Sequence, residues 1–245
     1  MSIHSQHAAS VRFPAVRPTA ARPIVGFDQS LAQASLRRVE EKDLLFAEGD
    51  AISHVYRVET GAIALYKVLA DGRRQIMGFA YPGDIIGLGV EVKHAMNAQA
   101  VKPTRVRCLP VAALRQSASE DPLLGFKLYE VLARELAATR DLMLTTGQRS
   151  AMERVAGFLL AFSRRNQRNG QDPTTFELPM TRTDIGDFLG LTIETVSRTF
   201  TKLKVLRLIE LPHSNQVRLL DIEQLQSLAD GEQQAPRHRE SKNIA

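Results

Sequence analysis

The chain has 245 residues, 44% of them apolar, and a formal charge of +5, which is enough to bury the cores of two domains and is compatible with a nucleic-acid partner. A single cysteine, Cys108, rules out a disulfide framework or an all-cysteine metal site within one chain and fits a reducing cytoplasm. The six histidines show no metal-ligand spacing, no apolar run is long enough to span a membrane, and the N-terminus lacks the apolar stretch of a secretory signal.

Residues 1–30 are rich in Pro, Ala, Ser and Arg without periodicity and read as a flexible arm. Residues 31–118 change to short β-type runs broken by glycines. "HVYRVETGAIALYKV" alternates around Thr60-Gly61, which predicts a hairpin there. Asp71-Gly72 and Pro82-Gly83-Asp84 predict two further turns, and "TRVRCLPV" another strand. Many short strands at regular spacing predict a small β-roll or barrel. Over 119–146 the period becomes helical, with Asp121 as N-cap and Pro122 at the first helical position. Tyr129, Leu132, Leu136, Thr139 and Met143 recur at spacings of three and four, a seam suited to a partner helix. Packing of the same stripe on the chain's own roll is the other reading.

Residues 147–231 form a second unit. "SAMERVAGFLLAFSRRN" predicts a helix with Val155, Phe158, Leu159 and Phe162 on one face, and "RNGQDPTTFELP" a surface loop. Thr181 and Asp184 have capping-box spacing before a short helix that ends at Gly190. Thr192 caps the next helix, whose buried face is predicted to hold Ile193, Val196, Phe200 and Leu203. Glu194, Ser197 and Arg198 fall on a different face. "LIELPHSNQVRLL" predicts a hairpin around His213-Ser214-Asn215, so two short helices and a wing make a winged helix-turn-helix. Residues 232–245 read as a flexible tail.

The second helix carries major-groove chemistry. Arg198 can donate two bonds to guanine, Glu194 can accept from cytosine, and Ser197 can do either. A helix made only to hold phosphate would not place a carboxylate there. Thr181, Arg182, Thr183, Thr192, Thr195, Thr199 and Lys202 lie near helix N-termini or on the basic flank, where phosphates bind. The plain alternative is a solvated face with a Glu194–Arg198 ion pair; the capped helix-turn-helix and the wing favour base reading.

"MTRTDIGDFLGLTIETVSRTF", with "LLFAEGD" and "YRVETGAIALYKVLADGRRQIMGFAYPGDIIG", resembles the CRP/FNR superfamily of transcriptional regulators over nearly the whole chain, its FNR/FixK branch in particular. The resemblance implies an α+β fold: a cyclic-nucleotide-binding-like β-roll, a long dimerisation helix and a C-terminal winged helix-turn-helix. It implies a homodimer bound to double-stranded DNA at an inverted palindrome of TTGAT-type half-sites, with Glu194, Ser197 and Arg198 as the reading triad. RNA polymerase is an implied partner, through the turn at Ala70–Gln75 (Asp71, Gly72, Arg73 and Arg74) and the loop near Asn169–Thr175. The family turn is often acidic, and Arg73-Arg74 departs from that pattern.

The roll also departs from the ligand-binding members. Leu88 follows Gly87 where cyclic-nucleotide-responsive relatives have Glu, and Met96-Asn97 replaces their Arg pair, so no fixed cation awaits a cyclic phosphate. Cys108 stands where the roll cysteine of the iron–sulfur members lies, but residues 1–35 contain none of the others, and one thiol cannot hold a [4Fe–4S] cluster. Cys108 reads as strand packing rather than a redox switch. His54 and His94 could in principle ligate a haem, but a lone histidine is more often structural or solvated. The overall expectation is a cytoplasmic bacterial regulator, mainly an activator, that acts downstream of a separate oxygen or redox sensor and carries no cofactor. The alternatives are a ligand- or haem-gated member of the family and, from a different class, a cyclic-nucleotide-binding regulatory module attached to an enzyme. No nucleophile–base motif, Walker loop or metal constellation points to an enzyme.

Overall fold

The computed structural model describes residues 33–89, 92–121, 123–133, 136 and 149–231. Alternating apolar residues close the first part into a six-stranded antiparallel sheet: β1 (Ser35–Val39), β2 (Leu44–Phe46), β3 (His54–Val68), β4 (Arg74–Ala80), β5 (Ile85–Ile86) and β6 (Asn97–Pro110). The order is β1-β6-β3-β4, with β2 paired to β6 and β5 to β3. The long strands β3 and β6 run antiparallel from His54↔Pro110 to Tyr66↔Asn97 and form the spine. Their inward residues, among them Val58, Ile63, Ala98 and Val106, are buried with Phe46 and Tyr56. Cys108 is part of this cluster, and burial pushes its thiol pKa up.

Thr60-Gly61 is not a hairpin. The chain passes straight through it within β3, with register shifts around Thr60 and Ala62. Gly61 has φ +92°, and a Cβ there would meet Thr104 Oγ1 at 2.3 Å. The Thr104 hydroxyl accepts from the Ala62 amide (3.0 Å) and reaches the carbonyls of Lys102 (2.7 Å) and Ala62 (3.1 Å). The glycine therefore marks a bend where one backbone presses on another. Turns do form at the other two expected places. Leu69 N donates to Arg73 O at 2.8 Å around Asp71-Gly72, and Asp84 N to Tyr81 O at 2.9 Å around Pro82-Gly83.

The roll ends in a helix that the strand pattern does not announce, α1 (Val111–Glu120). Asp121 closes it with its amide on Ser117 O and opens the next helix, α2 (123–133), by accepting from Leu123 N at 3.0 Å. Asp121 is thus a cap as expected, and Pro122 lies outside the described residues. Leu124 and Leu128 of α2 pack on Val55, Leu109 and Leu114 of the roll and α1. Tyr129, Leu132 and Leu136 instead stand 66%, 52% and 51% exposed, and Leu123 and Phe126 extend the same bare stripe. These described members of the stripe do not pack on the chain's own roll. Thr139 and Met143 lie outside the described residues.

The second unit packs α3 (Ala151–Arg168), α4 (Arg182–Leu189), α5 (Ile193–Val205) and α6 (Ile222–Ala229) with a three-stranded sheet of β7 (Thr175–Glu177), β8 (Ile209–Glu210) and β9 (Gln216–Leu219). A capping box between Ser150 and Glu153 starts α3, which buries Val155, Phe158 and Leu159. The segment expected to be a plain loop contains β7, because Phe176 is buried opposite Val217 and draws its neighbours into the ladder with β9. The hairpin around His213-Ser214-Asn215 forms as expected from β8 and β9.

Replacing Gly61 with Ala is expected to lower unfolding free energy by about 2–4 kcal/mol, because the left-handed backbone and the contact with Thr104 both resist a Cβ. Urea unfolding of the variant measures this; the midpoint should fall at an unchanged slope.

Candidate nucleic-acid interface

Three local devices build the helix pair. Thr181 Oγ1 accepts from the Asp184 amide (3.1 Å) while Asp184 Oδ2 accepts from the Thr181 amide (2.9 Å), so both ends of the capping box are closed. α4 stops at Gly190 in the left-handed conformation, and Leu191 N returns to Gly186 O at 2.9 Å. A Cβ on Gly186 would sit 2.6 Å from Leu191 O, so the tight turn depends on a glycine there. Arg154 of α3 steadies the same corner by donating to Leu189 O at 3.0 Å. Thr192 then caps α5 by accepting from the Thr195 amide at 3.2 Å.

α5 is sharply two-sided. Val196, Phe200 and Leu203 are buried, and Glu194, Ser197 and Arg198 are exposed together. Ile193 departs from the expected buried set: it is 45% exposed, since it opens the helix ahead of Val196, the first residue of α5 to be buried. The Glu194 carboxyl is held below its usual pKa by its own backbone amide, then by the Thr192 hydroxyl, with a smaller pull from Arg198. It stays an acceptor at neutral pH. The exposed side of α5 continues through Thr201, Lys202 and Lys204.

The residues expected to meet phosphate divide into two groups. Thr181, Thr183, Thr192 and Lys202 are exposed, and Thr195 is half-buried with its hydroxyl 3.0 Å from that of Thr192. Thr199 is buried, and its hydroxyl donates to Thr195 O at 2.8 Å, so it belongs to the packed side of α5. Arg182 also turns inward. Its guanidinium lies 3.3 Å from the centre of the Phe200 ring and donates to Ser214 O (3.3 Å) at the wing tip. Burial pushes its pKa down to about 10. Arg182 ties the wing to the helix pair instead of reaching outward.

The turn expected to face polymerase is divided as well. Asp71 and Arg73 pair with each other at its tip, Arg73 Nε donating to Asp71 Oδ2 at 2.8 Å. Arg74 points away from the tip into the second unit, pairing with Asp184 and Asp187 of α4 (2.8 Å to Asp187). Burial opposes its charge, but the bonds to Asp187 and Asp184 raise its pKa further than burial lowers it. Arg74 is therefore not an exposed contact. Sequence pattern alone did not mark Asp187, Gly186 or Arg154, since a single acid, glycine or arginine within a helix carries no local signal of a distant partner.

In the roll, Leu88 packs against the apolar cluster of Val55, Leu109 and Leu114. Asn97 Oδ1 accepts from Glu48 N at 3.0 Å. His94 is buried and stacks on Phe46 with ring centres 3.7 Å apart, and burial lowers its pKa. No group of three metal-ligating side chains occurs among the described residues, and none of the described helices is long and apolar enough to cross a membrane.

A β-roll followed by a capped, winged helix-turn-helix is the architecture of a DNA-binding transcriptional regulator. Comparison with known proteins agrees. Residues 153–228 match the Crp-like helix-turn-helix domain and residues 36–121 the cyclic nucleotide-binding domain. The chain is 42% identical over 187 residues to the nitrogen fixation regulation protein FixK of Bradyrhizobium diazoefficiens, covering 76% of this chain and 78% of that protein. It is 40% identical over 192 residues to the transcriptional activatory protein AadR of Rhodopseudomonas palustris, covering 78% and 80%. The solved structure of FixK2 from Bradyrhizobium japonicum superposes with a TM-score of 0.75 at 38% identity, over 80% of this chain and 96% of that one. The chain belongs to the CRP/FNR superfamily, in its FixK-like branch.

Truncation of Arg182 to Ala is expected to lower stability by about 1–2 kcal/mol through the lost ring contact and the wing hydrogen bond. It should leave the salt dependence of DNA binding unchanged, because Arg182 does not face outward. Thermal unfolding and a salt titration of DNA affinity measure the two effects.

Proposed function

We propose that the protein binds an inverted palindrome of TTGAT-type half-sites as a homodimer and activates transcription there, without a cofactor or small ligand of its own. The observation that carries this reading is the joint exposure of Glu194, Ser197 and Arg198 on the side of α5 opposite Val196, Phe200 and Leu203. In a major groove Arg198 would donate to guanine, Glu194 would accept from cytosine, and Ser197 leaves room for a thymine methyl. Thr181, Thr183, Thr192, Thr195 and Lys202 border that side and would hold the phosphates that fix its register.

The bare stripe of Leu123, Phe126, Tyr129, Leu132 and Leu136 supports self-association, since contiguous apolar residues on a helix are costly to leave in water. Two-fold pairing would set two copies of α5 about one turn of DNA apart. The packing of Leu88 and the engagement of Asn97 support a roll without a cyclic nucleotide, and the buried Cys108 with its raised pKa supports a packing role. Regulation would then follow the amount of protein, set by a separate oxygen or redox sensor. The turn tip of Asp71, Gly72 and Arg73, with the loop near Asn169–Thr175, is the surface offered to RNA polymerase. A reducing cytoplasm is the compartment this activity requires.

The test is fluorescence anisotropy of the purified protein, in air and without added ligand, on a duplex with two inverted TTGAT half-sites and on a scrambled duplex. Selective binding supports the reading; equal binding to both would sink it and favour a ligand-gated regulator. Arg198→Ala is expected to cost about 1–3 kcal/mol on the palindrome and to relax preference at the guanine it reads. An equal loss on scrambled DNA would make Arg198 a phosphate contact. Lys202→Ala should weaken all sequences similarly and reduce the slope of log affinity against log salt by about one.

A further inference from the structure

We infer that Arg74 is a positioning residue for DNA binding, clamping the helix-turn-helix to the roll so that the exposed side of α5 is presented in one orientation. This rests on the palindrome-reading role proposed above for α5. Arg74 opens β4, immediately after the Asp71-Gly72 turn, and all three of its guanidinium nitrogens are engaged. Nε donates to Asp187 Oδ2 at 2.8 Å, Nη1 to Gln99 Oε1 at 3.2 Å, and Nη2 to Asp184 Oδ1. The next residue adds a neutral bond, Gln75 Nε2 to Asp187 O at 2.8 Å.

A second contact braces the other end of the same boundary. Arg165 of α3 donates to Asp84 Oδ1 and to Pro82 O, each at 3.2 Å, and lies over the Tyr81 ring at 4.6 Å. Between the two arginines runs a line of rings, with Phe79 against Phe188 and Tyr81 edge-on to Phe162, both at 5.5 Å. The contacts named fall on α3 and α4 and leave Glu194, Ser197 and Arg198 exposed on α5.

The ring contacts hold the two units together but do not by themselves fix an angle, because apolar burial is non-directional. A planar guanidinium gripped by two carboxylates does fix one. Asp184 and Asp187 lie three residues apart on one face of α4, where they would repel each other without the cation. Asp184 is also the capping-box acid, so the carboxylate that starts α4 is the one that meets the roll. A dimer that must place two α5 helices on two half-sites loses apparent affinity in proportion to the time either unit is out of position. Contact with a single half-site carries no such requirement.

The experiment compares wild type with Arg74→Gln, Arg74→Asp, Asp187→Arg and the Arg74→Asp/Asp187→Arg exchange, each as the full chain. Anisotropy reads affinity for the palindrome and for a duplex with one half-site; small-angle X-ray scattering without DNA reads the maximum dimension. Each single variant should weaken palindrome binding by about tenfold, as expected if the competent fraction falls to about a tenth. Half-site binding should stay unchanged, and scattering should show a longer particle. The exchange should restore both affinity and dimension toward wild type. Wild-type-like scattering for Arg74→Gln and Arg74→Asp overturns the inference. So does an equal fall on palindrome and half-site accompanied by a lower melting temperature, which would leave Arg74 a purely stabilising role. If wild-type protein shows no preference for the palindrome, the base-reading proposal fails instead, and scattering of the single variants and the exchange decides the role of Arg74.

Discussion

The carboxylate of Asp184 joins three levels of this structure. One oxygen accepts from the Thr181 amide and hydroxyl and starts α4; the other pairs with Arg74 of the roll. Asp184 is buried although it is charged, a condition that is tolerable only with a cation and hydrogen bonds around it. The helix cap, the helix-turn-helix corner and the boundary between the two units therefore share one side chain. The tight return of Leu191 onto Gly186 then places Thr192, and with it the start of α5.

From that corner the rest follows by packing. Val196, Phe200 and Leu203 are drawn into a cluster with Val155, Leu159, Ile185 and Leu189, so the orientation of α5 about its own axis is determined. Rotation by about a third of a turn would expose Phe200 and carry Glu194 toward the core, and burying an unpaired carboxylate is costly. The side left outside carries one acid at the helix start and lysines toward its end, beside the exposed Ile193 and Val205. Such an arrangement also complements the helix dipole, so stability and DNA chemistry agree along α5.

Much of this was legible in order along the chain. Capping-box spacing at Thr181 and Asp184, the glycine at position 190 and the Thr192 cap are local rules, and the structure follows each. The wing, the two turns at Asp71-Gly72 and Pro82-Gly83, and the apolar side of α3 were equally readable. Several readings changed for identifiable reasons. Thr60-Gly61 has the composition of a hairpin turn, but its strand continues because β6 presses against it through Thr104. Thr175–Glu177 lies in a loop-like sequence, yet Phe176 finds Val217 and becomes a strand. Thr199 and Arg182 have the residue types of phosphate contacts, but one faces the core and the other lies on Phe200.

By itself the sequence determined which segments are helix, turn or strand wherever a neighbour within a few residues supplies the missing hydrogen bond or the apolar period, and it determined the amphipathic split of α5. Only the tertiary structure decided which charged side chains face outward. Arg73 and Arg74 are adjacent and chemically identical, yet one pairs with Asp71 at an exposed tip and the other reaches Asp184 and Asp187, more than a hundred positions away in the chain. A local pattern cannot encode that difference. It depends on Arg73 closing the turn while Arg74 opens β4, and on what the folded chain has brought beside each.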